Sequence, residues 1–361
     1  MLPSRESVPH CATGGHDIVW RIDVEAASHI FNEVALDAEA SAQRLVDAVA
    51  DRAYAGGVTP ADAYEKKQRH AQKMMLFRLI FIPYSLSKQV TKREDRMATP
   101  FYWNELNTYD FAGLSPETTI AVLPIASTEQ HGPHLPIATD VAIATGMLAE
   151  LKRQRPEDLD ILVLPTQEIG KANEHIYGPG TLSLSAELLI PVWTAIGAKV
   201  AEAGLRKMVI VNSHGGNVDI MSIVARELRV RHQMAVVSTQ WGRFGHPEGM
   251  VSDHESKYGI HGGDVETSLM LHFRRELVRM DKAQNFASKA EWMREQSKFL
   301  QPLPPHSLAW IAHDLNPFGV VGDASIAKAE KGEAICRHQV KGFVELLQDL
   351  KAYPLSNLYV K

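Results

Sequence analysis

Residues 118–151 read TTIAVLPI, then ASTEQHGPHLPIATD, then VAIATGMLAEL, and the fold can be predicted from this segment. The first part is a short apolar, β-favouring run that predicts a buried strand at 118–125. The last part has the apolar periodicity of a helix. In open α/β sheets the loop between such a strand and helix carries the ligand sites. We therefore expect an α/β fold with a functional site in the connecting loop.

Four side chains with affinity for metal ions lie within this loop: Glu129, His131, His134 and Asp140. Glu129 and His131 are two positions apart, so in extended backbone their side chains leave on the same side. Asp140 stands where the helix begins, so its carboxylate either caps that helix or turns outward and bridges two cations. From this loop alone, a metal site and a set of ordinary cap and turn residues both remain open.

The composition of the 361-residue chain is that of a globular protein, with 45% hydrophobic and 22% charged residues. A formal net charge of −5 and the absence of a basic cluster argue against nucleic acid as a partner. The two cysteines, Cys11 and Cys336, form neither a disulfide framework nor a Cys-x-x-Cys pair. The N-terminus lacks the layout of a secretory signal, and the most apolar run, 74–84, is too short to span a bilayer. These features predict a cytoplasmic protein with no membrane partner.

Residues 1–96 differ from the rest of the chain. Helical periodicity covers 24–53, Thr59 and Pro60 open a second predicted helix, and 92–96 is a charged linker. Two interpretations are open: a helical N-terminal extension, used as a cap or oligomerisation arm, or a wrongly assigned start with translation beginning at Met97. We favour the second, because every coherent pattern begins after Met97. The predicted catalytic domain is 97–361.

Strands and helices alternate from Met97 onward, which is typical of a parallel sheet with crossover helices. Further strands are predicted at 160–165, 208–211 and 235–239. Helices are predicted at 185–203, 219–230, after position 264 and at 324–350. The expected fold is a single three-layer domain, in which helices flank a mostly parallel sheet.

Two further loops carry chemistry of the same kind. His214 follows the predicted strand 208–211 and is succeeded by Gly215 and Gly216, while His261 and Glu266 lie just before and just inside a predicted helix. If the strands are parallel, all these loops emerge at one edge of the sheet. Imidazole and carboxylate without thiolate favour Zn²⁺, Mn²⁺ or Fe²⁺. Five ligands around one central carboxylate suit two ions about 3.5–4 Å apart, with a bridging water ionised to a hydroxide nucleophile.

This combination of motifs resembles the creatininase (creatinine amidohydrolase) family over about 101–350. The matching motifs are Glu129-x-His131 with Asp140, Asn212-x-His214-Gly-Gly-Asn217, Glu174-His175, Pro179-Gly180-Thr181, His261-x4-Glu266-Thr267-Ser268 and Gly322-Asp323. The resemblance implies a parallel-rich α/β fold, a two-metal centre, hexamers and hydrolysis of small amides or lactams. It implies that Glu129, Asp140 and His214 hold one ion, that His131 and Asp140 hold the second, and that His261 moves a proton at the scissile bond.

The sequence departs from creatininase at the second ion. Creatininase has a glutamate two residues after the histidine that matches His214, and here that position is Gly216. We therefore expect Glu266 to provide the missing carboxylate, as a ligand and as part of the catalytic pair with His261. Creatininase also has an aromatic residue and a Trp-Asp pair where this chain has Gly215, Lys257 and Tyr258, so its creatinine pocket is not reproduced.

The predicted function is metal-dependent hydrolysis of a C–N amide bond in a small, cyclic or formylated substrate. His134, Glu174, His175 and Tyr258 are the predicted substrate-side residues, although His134 could equally orient its neighbours. Two alternatives are open. The same site could cleave a C–C bond in a keto-inositol-like ring, or the protein could be a non-catalytic metal-binding subunit. Ser213 beside His214 does not indicate a serine triad, because adjacent residues at a strand end point apart.

Overall fold

Four parallel strands form the central sheet of residues 100–359, the part of the chain that the computed structural model describes. They are β1 (Ile120–Ile125), β2 (Ile161–Val163), β3 (Lys207–Asn212) and β4 (Ala235–Gln240). Their order across the sheet is β2-β1-β3-β4, and every pair is parallel. The prediction of a mostly parallel α/β sheet is therefore confirmed. The extension or false start predicted at 1–96 lies outside the described residues.

Helices connect the strands and complete the domain. They are α1 (Thr139–Gln154), α2 (Ala186–Glu202), α3 (Val218–His232), α4 (Asp253–Tyr258), α5 (Asp264–Phe273), α6 (Ala290–Gln296), α7 (Ala312–Leu315) and α8 (Ala329–Ala352). Two-residue strands β5 (Asn285–Phe286) and β6 (Gly322–Asp323) form a separate antiparallel pair. None of the helices within residues 100–359 combines the length and apolar character that a membrane span requires.

The two faces of the sheet carry separate apolar cores. In β1, Ile120 and Val122 pack with α1, α5 and α8, whereas Ala121 and Leu123 pack with α2 and α3 on the other face. This alternation follows from the two-residue period of a strand. Because both faces are covered, all six residues of β1 are buried. The result is the predicted three-layer arrangement.

The C-terminal region differs from its prediction. A single helix was expected over 324–350, but a 3₁₀ turn occupies Ala324–Ile326 and α8 begins only at Ala329. The Asp323 side chain accepts a hydrogen bond from the backbone N–H of Ser325 and so caps the short turn. Lys328 then has extended backbone (φ −142°, ψ 144°), which starts α8 as a separate helix.

The loops at the carboxyl edge of the sheet are tied to each other by hydrogen bonds. The backbone N–H of Ser213 donates to the carbonyl of Ile125, joining the loops after β3 and β1. Asn217 receives the N–H of Lys171 at its side-chain oxygen and donates from its amide to the carbonyl of Ala126. These contacts hold the loops after β1, β2 and β3 in one fixed arrangement.

Candidate metal centre

The first group of converging side chains joins the loop after β1 to the loop after β3. Nδ1 of His214 lies 2.9 Å from Oε2 of Glu129 and 3.4 Å from Oδ2 of Asp140. One ligand atom from each of these three buried residues falls within 4.8 Å of the other two. The predicted convergence of the two loops is therefore present in the structure.

A second group lies beside the first and shares Asp140 with it. Nε2 of His131 is 3.4 Å from Oδ1 of Asp140 and 3.6 Å from Oε2 of Glu266. The ring of His261 lies against that of His131, with centroids 4.3 Å apart and the planes tilted by 39°. Asp140 is the second residue of α1 and does not act as its N-cap. Its two oxygens instead face two different imidazoles, which is the orientation that a bridging carboxylate requires.

Backbone carbonyls determine which nitrogen of each imidazole faces the centre. Nδ1 of His131 donates to the carbonyl of Glu129 at 3.1 Å, and Nε2 of His214 donates to the carbonyl of Lys171 at 2.9 Å. A carbonyl oxygen only accepts, so in the neutral ring the opposite nitrogen is unprotonated. In the neutral form of both rings, these nitrogens therefore present lone pairs towards the carboxylates. Metal-bound histidines in proteins are oriented by this kind of contact.

The centre contains three carboxylates, and no lysine or arginine of the described chain forms an ion pair with any of them. Glu129 and Asp140 are buried, while the side chain of Glu266 is 25% exposed. Burial raises the pKa of Glu129 and raises the pKa of Glu266 to about 7. Burial opposes the charge of Asp140 too, but the imidazoles of His131 and His214 hold its pKa below the usual range.

The pKa values of the imidazoles of His131 and His214 are shifted in the complementary direction, upwards. Burial would lower the pKa of His131, but the carboxylates of Asp140 and Glu266 raise it to about 9. The carboxylates of Glu129 and Asp140 likewise overcome burial and raise the pKa of His214. Without a bound cation, protons must therefore neutralise the excess negative charge of the centre.

Several ligand atoms of the centre have no hydrogen-bond partner among the described residues: both oxygens of Glu129, Nε2 of His131 and Oδ2 of Asp140. Leaving such buried groups unpaired costs about 1–3 kcal/mol each, and more when they are charged. A pair of divalent cations would satisfy all of them at once, and it matches the mixture of imidazole and carboxylate donors. The residues present thus fit a two-metal group.

The four predicted substrate-side residues occupy different positions. Nε2 of His175 is 3.5 Å from Oε1 of Glu129, and Oε1 of Glu174 is 3.4 Å from Nε2 of His214, so both border the centre. Nε2 of His134 instead contacts the carbonyl of Gly262 at 2.9 Å. His134 is buried, and burial lowers its pKa to about 4. His134 therefore contacts the loop that carries His261, as a residue that orients its neighbours would, and its substrate-side role stays a prediction.

Tyr258 lies among charged and aromatic neighbours on α4 and α6. Its ring is 5.0 Å from that of His254 and 5.8 Å from the guanidinium of Arg294. Among the contacts of the described residues, none joins the Tyr258 ring to the converging carboxylates and imidazoles. The structure thus gives no support to its expected substrate contact.

Gln130 is the functional-site residue that the sequence reasoning missed. It lies between Glu129 and His131, is buried, and contacts His175, His261 and Gly319. Its place in the sequence between two candidate ligands was the one feature that could have indicated a role in the site. An uncharged amide has little affinity for the ions considered, so a search for metal ligands passes over it.

The profile of the creatininase (creatinine amidohydrolase) family matches residues 104–347. The chain belongs to the creatininase family. The prediction of a hydrolase of this family is confirmed.

Three curated relatives illustrate the range of the family. The mycofactocin precursor peptide peptidase of Mycobacterium ulcerans (strain Agy99) is 32% identical over 255 residues, covering 68% of this chain and 88% of that protein. The creatinine amidohydrolase of Pseudomonas putida is 27% identical over 269 residues, covering 68% and 94%. The 3-dehydro-scyllo-inosose hydrolase of Thermotoga maritima is 23% identical over 252 residues, covering 66% and 80%.

Solved structures agree with the fold. The crystal structure of creatininase superposes with a TM-score of 0.57 at 24% identity, covering 70% of this chain and 98% of that chain. A mutant creatininase of the Zn-Zn type gives a TM-score of 0.56 at 23% identity, covering 70% and 98%. A creatininase described with Mn gives 0.55 at 22% identity, covering 71% and 100%.

Proposed function

We propose that this protein is a metal-dependent amidohydrolase that cleaves a C–N bond of a small, cyclic or formylated substrate. The observation that carries the proposal is the set of unpartnered, converging ligand atoms on Glu129, His131 and Asp140. The tautomers of His131 and His214 are set so that a free nitrogen faces this centre. Such a donor set holds cations, and members of this family are named as amide hydrolases.

The residues divide into two ligand groups. Glu129, Asp140 and His214 would hold one ion, while His131, Asp140 and Glu266 would hold the other. When bound, divalent ions of this kind lower the pKa of a coordinated water to near neutrality and polarise a carbonyl oxygen. The backbone N–H of Gly262 donates to Oε2 of Glu266 at 2.6 Å, which fixes that carboxylate beside His131. Zinc and manganese, with iron as a third choice, are the ions to test.

His261 is the proposed proton carrier. Its Nδ1 lies 3.7 Å from Oε1 of Glu129, so the ring borders the centre without being needed as a ligand. Burial lowers the pKa of His261, which keeps the ring neutral with a free lone pair. The ring would accept a proton and pass it to the departing nitrogen, a role that contributes about 10²–10⁴-fold to such reactions.

Glu266 can be tested by its effect on metal content. Glu266→Gln removes a charged donor from one of the two groups, so we expect bound zinc to fall from two ions per chain towards one, measured by elemental analysis after dialysis. Glu248→Gln, at an exposed position, is the control and should retain both ions. Unchanged occupancy in Glu266→Gln would remove Glu266 from the ligand set.

Turnover can be tested on a panel of amides with the zinc- or manganese-loaded protein. The panel contains creatinine, a formamide and a short peptide, because the relatives described above include a peptidase as well as a creatinine amidohydrolase. Release of amine or formate, lost in His261→Gln, is the expected result. Full metal loading with no turnover of any amide would refute the proposal.

A second candidate follows from the relative named as a 3-dehydro-scyllo-inosose hydrolase. The same centre would then cleave a C–C bond next to a ketone in a carbohydrate-like ring. Turnover of a keto-inositol without turnover of any amide would favour it, and turnover of neither would favour a non-catalytic metal-binding subunit. The cytoplasmic location and the hexamer inferred from the resemblance stay predictions.

A further inference from the structure

Two imidazoles, His175 and His261, stack face to face with ring centroids 4.1 Å apart beside Glu129. One atom from each of the two rings and one carboxylate oxygen of Glu129 lie within 4.8 Å of each other, a spacing that could hold a cation. Whether these rings offer lone pairs or N–H groups to that space depends on their tautomers. The groups around Gln130 determine those tautomers.

The orientation of the Gln130 carboxamide follows from two partners of fixed polarity. Its Oε1 accepts the backbone N–H of Gly132 at 3.0 Å, and its Nε2 lies 2.6 Å from the carbonyl oxygen of Gly319. An N–H only donates and a carbonyl oxygen only accepts, so the amide cannot be reversed. Nε2 is therefore the NH₂ group, and one of its two protons goes to Gly319.

The second proton of that NH₂ group points to His175. Nε2 of Gln130 lies 2.9 Å from Nδ1 of His175, so Nδ1 must accept and carries no proton. A doubly protonated His175 would set two donors against each other at this distance. The His175 ring is therefore neutral, and its only proton is on Nε2, the atom 3.5 Å from Oε1 of Glu129.

His261 is oriented by the main-chain carbonyl of Gln130. Its Nε2 lies 2.9 Å from the carbonyl oxygen of Gln130, so Nε2 must be the donor. In the neutral ring the lone pair is then on Nδ1, the atom 3.7 Å from Oε1 of Glu129. Both protons of the Gln130 amide are already used, so its 3.4 Å approach to the same nitrogen is not a hydrogen bond.

We propose that Gln130 is a positioning residue, which locks both stacked imidazoles in the Nε2–H tautomer but in opposite orientations, so that His261 presents the lone pair of Nδ1 and His175 the N–H of Nε2 to the same side of the metal centre. A third cation between them is excluded, because the Nε2 of His175 has no lone pair to give. The space instead holds one base and one hydrogen-bond donor. His261 takes a proton from the attacking water at Nδ1 and returns it from Nδ1 to the departing nitrogen.

The role of Gln130 in this reaction rests on the function proposed above, but the tautomers can be measured without any substrate. Neutron diffraction from deuterium-exchanged crystals of the zinc-loaded protein shows ring protons directly. We expect deuterium on Nε2 of both His175 and His261 and none on Nδ1 of His175. Deuterium on Nδ1 of His175, or a third zinc ion bound to Nε2 of His175, overturns the proposal.

Gln130→Glu tests the consequence for the reaction. A carboxylate still accepts the N–H of Gly132, but its other oxygen loses the hydrogen bond to the carbonyl of Gly319 and offers no proton to His175. The proton of His175 should then move to Nδ1. We expect kcat to fall about 10–100-fold, with a smaller change in KM and unchanged zinc content. Gln301→Glu, at a carboxamide that donates to Pro304, is the matched control and should retain full activity.

The two proposals can fail separately. If the neutron structure shows the expected protons but no amide is turned over, the amidohydrolase function is wrong and the arrangement set by Gln130 stands. If the enzyme turns over amides and folded Gln130→Glu keeps the wild-type kcat, the positioning role is refuted while the function stands.

Discussion

By the resemblance given under sequence analysis, Gly216 stands where creatininase has a glutamate, and Gly216→Ala tests why no side chain is present here. An ideal Cβ at this position would lie 2.2 Å from the carbonyl oxygen of Lys171, 2.3 Å from Oε1 of Glu174 and 2.6 Å from Nε2 of His214. Contacts of this kind normally exceed about 3.4 Å, so the backbone oxygen must move by roughly 1 Å. Overpacking of this size costs about 1–3 kcal/mol.

Gly215→Ala is the matched control in the next position. Apart from its chain neighbours, no atom of the described residues lies within 4 Å of a Cβ built on Gly215, so the methyl group would enter space that this part of the chain leaves open. Both substitutions lower the conformational entropy of the unfolded chain equally, and this alone stabilises by about 0.4–1 kcal/mol. The difference between the two variants therefore isolates the packing cost. At about 2–4 °C per kcal/mol, we expect Gly216→Ala to melt several degrees below Gly215→Ala.

The same clash affects metal binding through His214. The carbonyl of Lys171 accepts from Nε2 of His214 at 2.9 Å and keeps Nδ1 free for an ion. Displacing that carbonyl should weaken zinc binding about 10-fold to 100-fold in Gly216→Ala, measured by competition with a chelating dye. Equal melting temperatures and equal zinc affinities in the two alanine variants would refute this reasoning.

Three further predictions use other features of the described chain. Both oxygens of buried Glu255 accept backbone N–H groups, and in Glu255→Gln an NH₂ group would oppose one of them. We therefore expect Glu255→Gln to lower the free energy of unfolding by about 1–3 kcal/mol in denaturant titrations. Glu248→Gln, at an exposed position, is the control and should change it little. In a Cys11→Ser variant, Cys336 should not react with thiol reagents at pH 8 until the protein unfolds, since burial raises the pKa of this thiol to about 12; rapid labelling of the folded variant would contradict this. Chelation should lower the melting temperature and zinc should restore it, because zinc at 100 times its dissociation constant adds about 2.7 kcal/mol to the free energy of unfolding. A melting temperature that does not change with zinc would argue against the metal centre.

The convergence of the loops could be predicted from the sequence because it follows from sheet topology. Once 118–125 and 208–211 are recognised as parallel strands, the loops after them must share one edge of the sheet. Glu129 and His214 are 85 positions apart, yet their side chains come within 2.9 Å for this reason. Residue type then indicated the chemistry, since carboxylates and imidazoles are few enough to stand out.

The contacts that orient these side chains could not be predicted in the same way. The carbonyl of Lys171 fixes the His214 tautomer, and any residue at position 171 has such a carbonyl. The contact depends on where the backbone runs, which no residue type reveals. The late start of α8 was missed for a related reason, because the apolar periodicity of 324–350 cannot show that Lys328 is extended.

Two features bear on the predicted second ion: position 216 carries no side chain, and the carboxylate of Glu266 lies beside His131. The volume that a side chain at position 216 would need is filled by the carbonyl of Lys171 and the carboxylate of Glu174, both from the loop after β2. If a second ion binds, its carboxylate cannot come from position 216. Glu266, in the first turn of α5, is held 3.6 Å from His131 by the N–H of Gly262. The space at position 216 is therefore filled by neighbouring atoms, and we propose that Glu266 provides the carboxylate for the second ion.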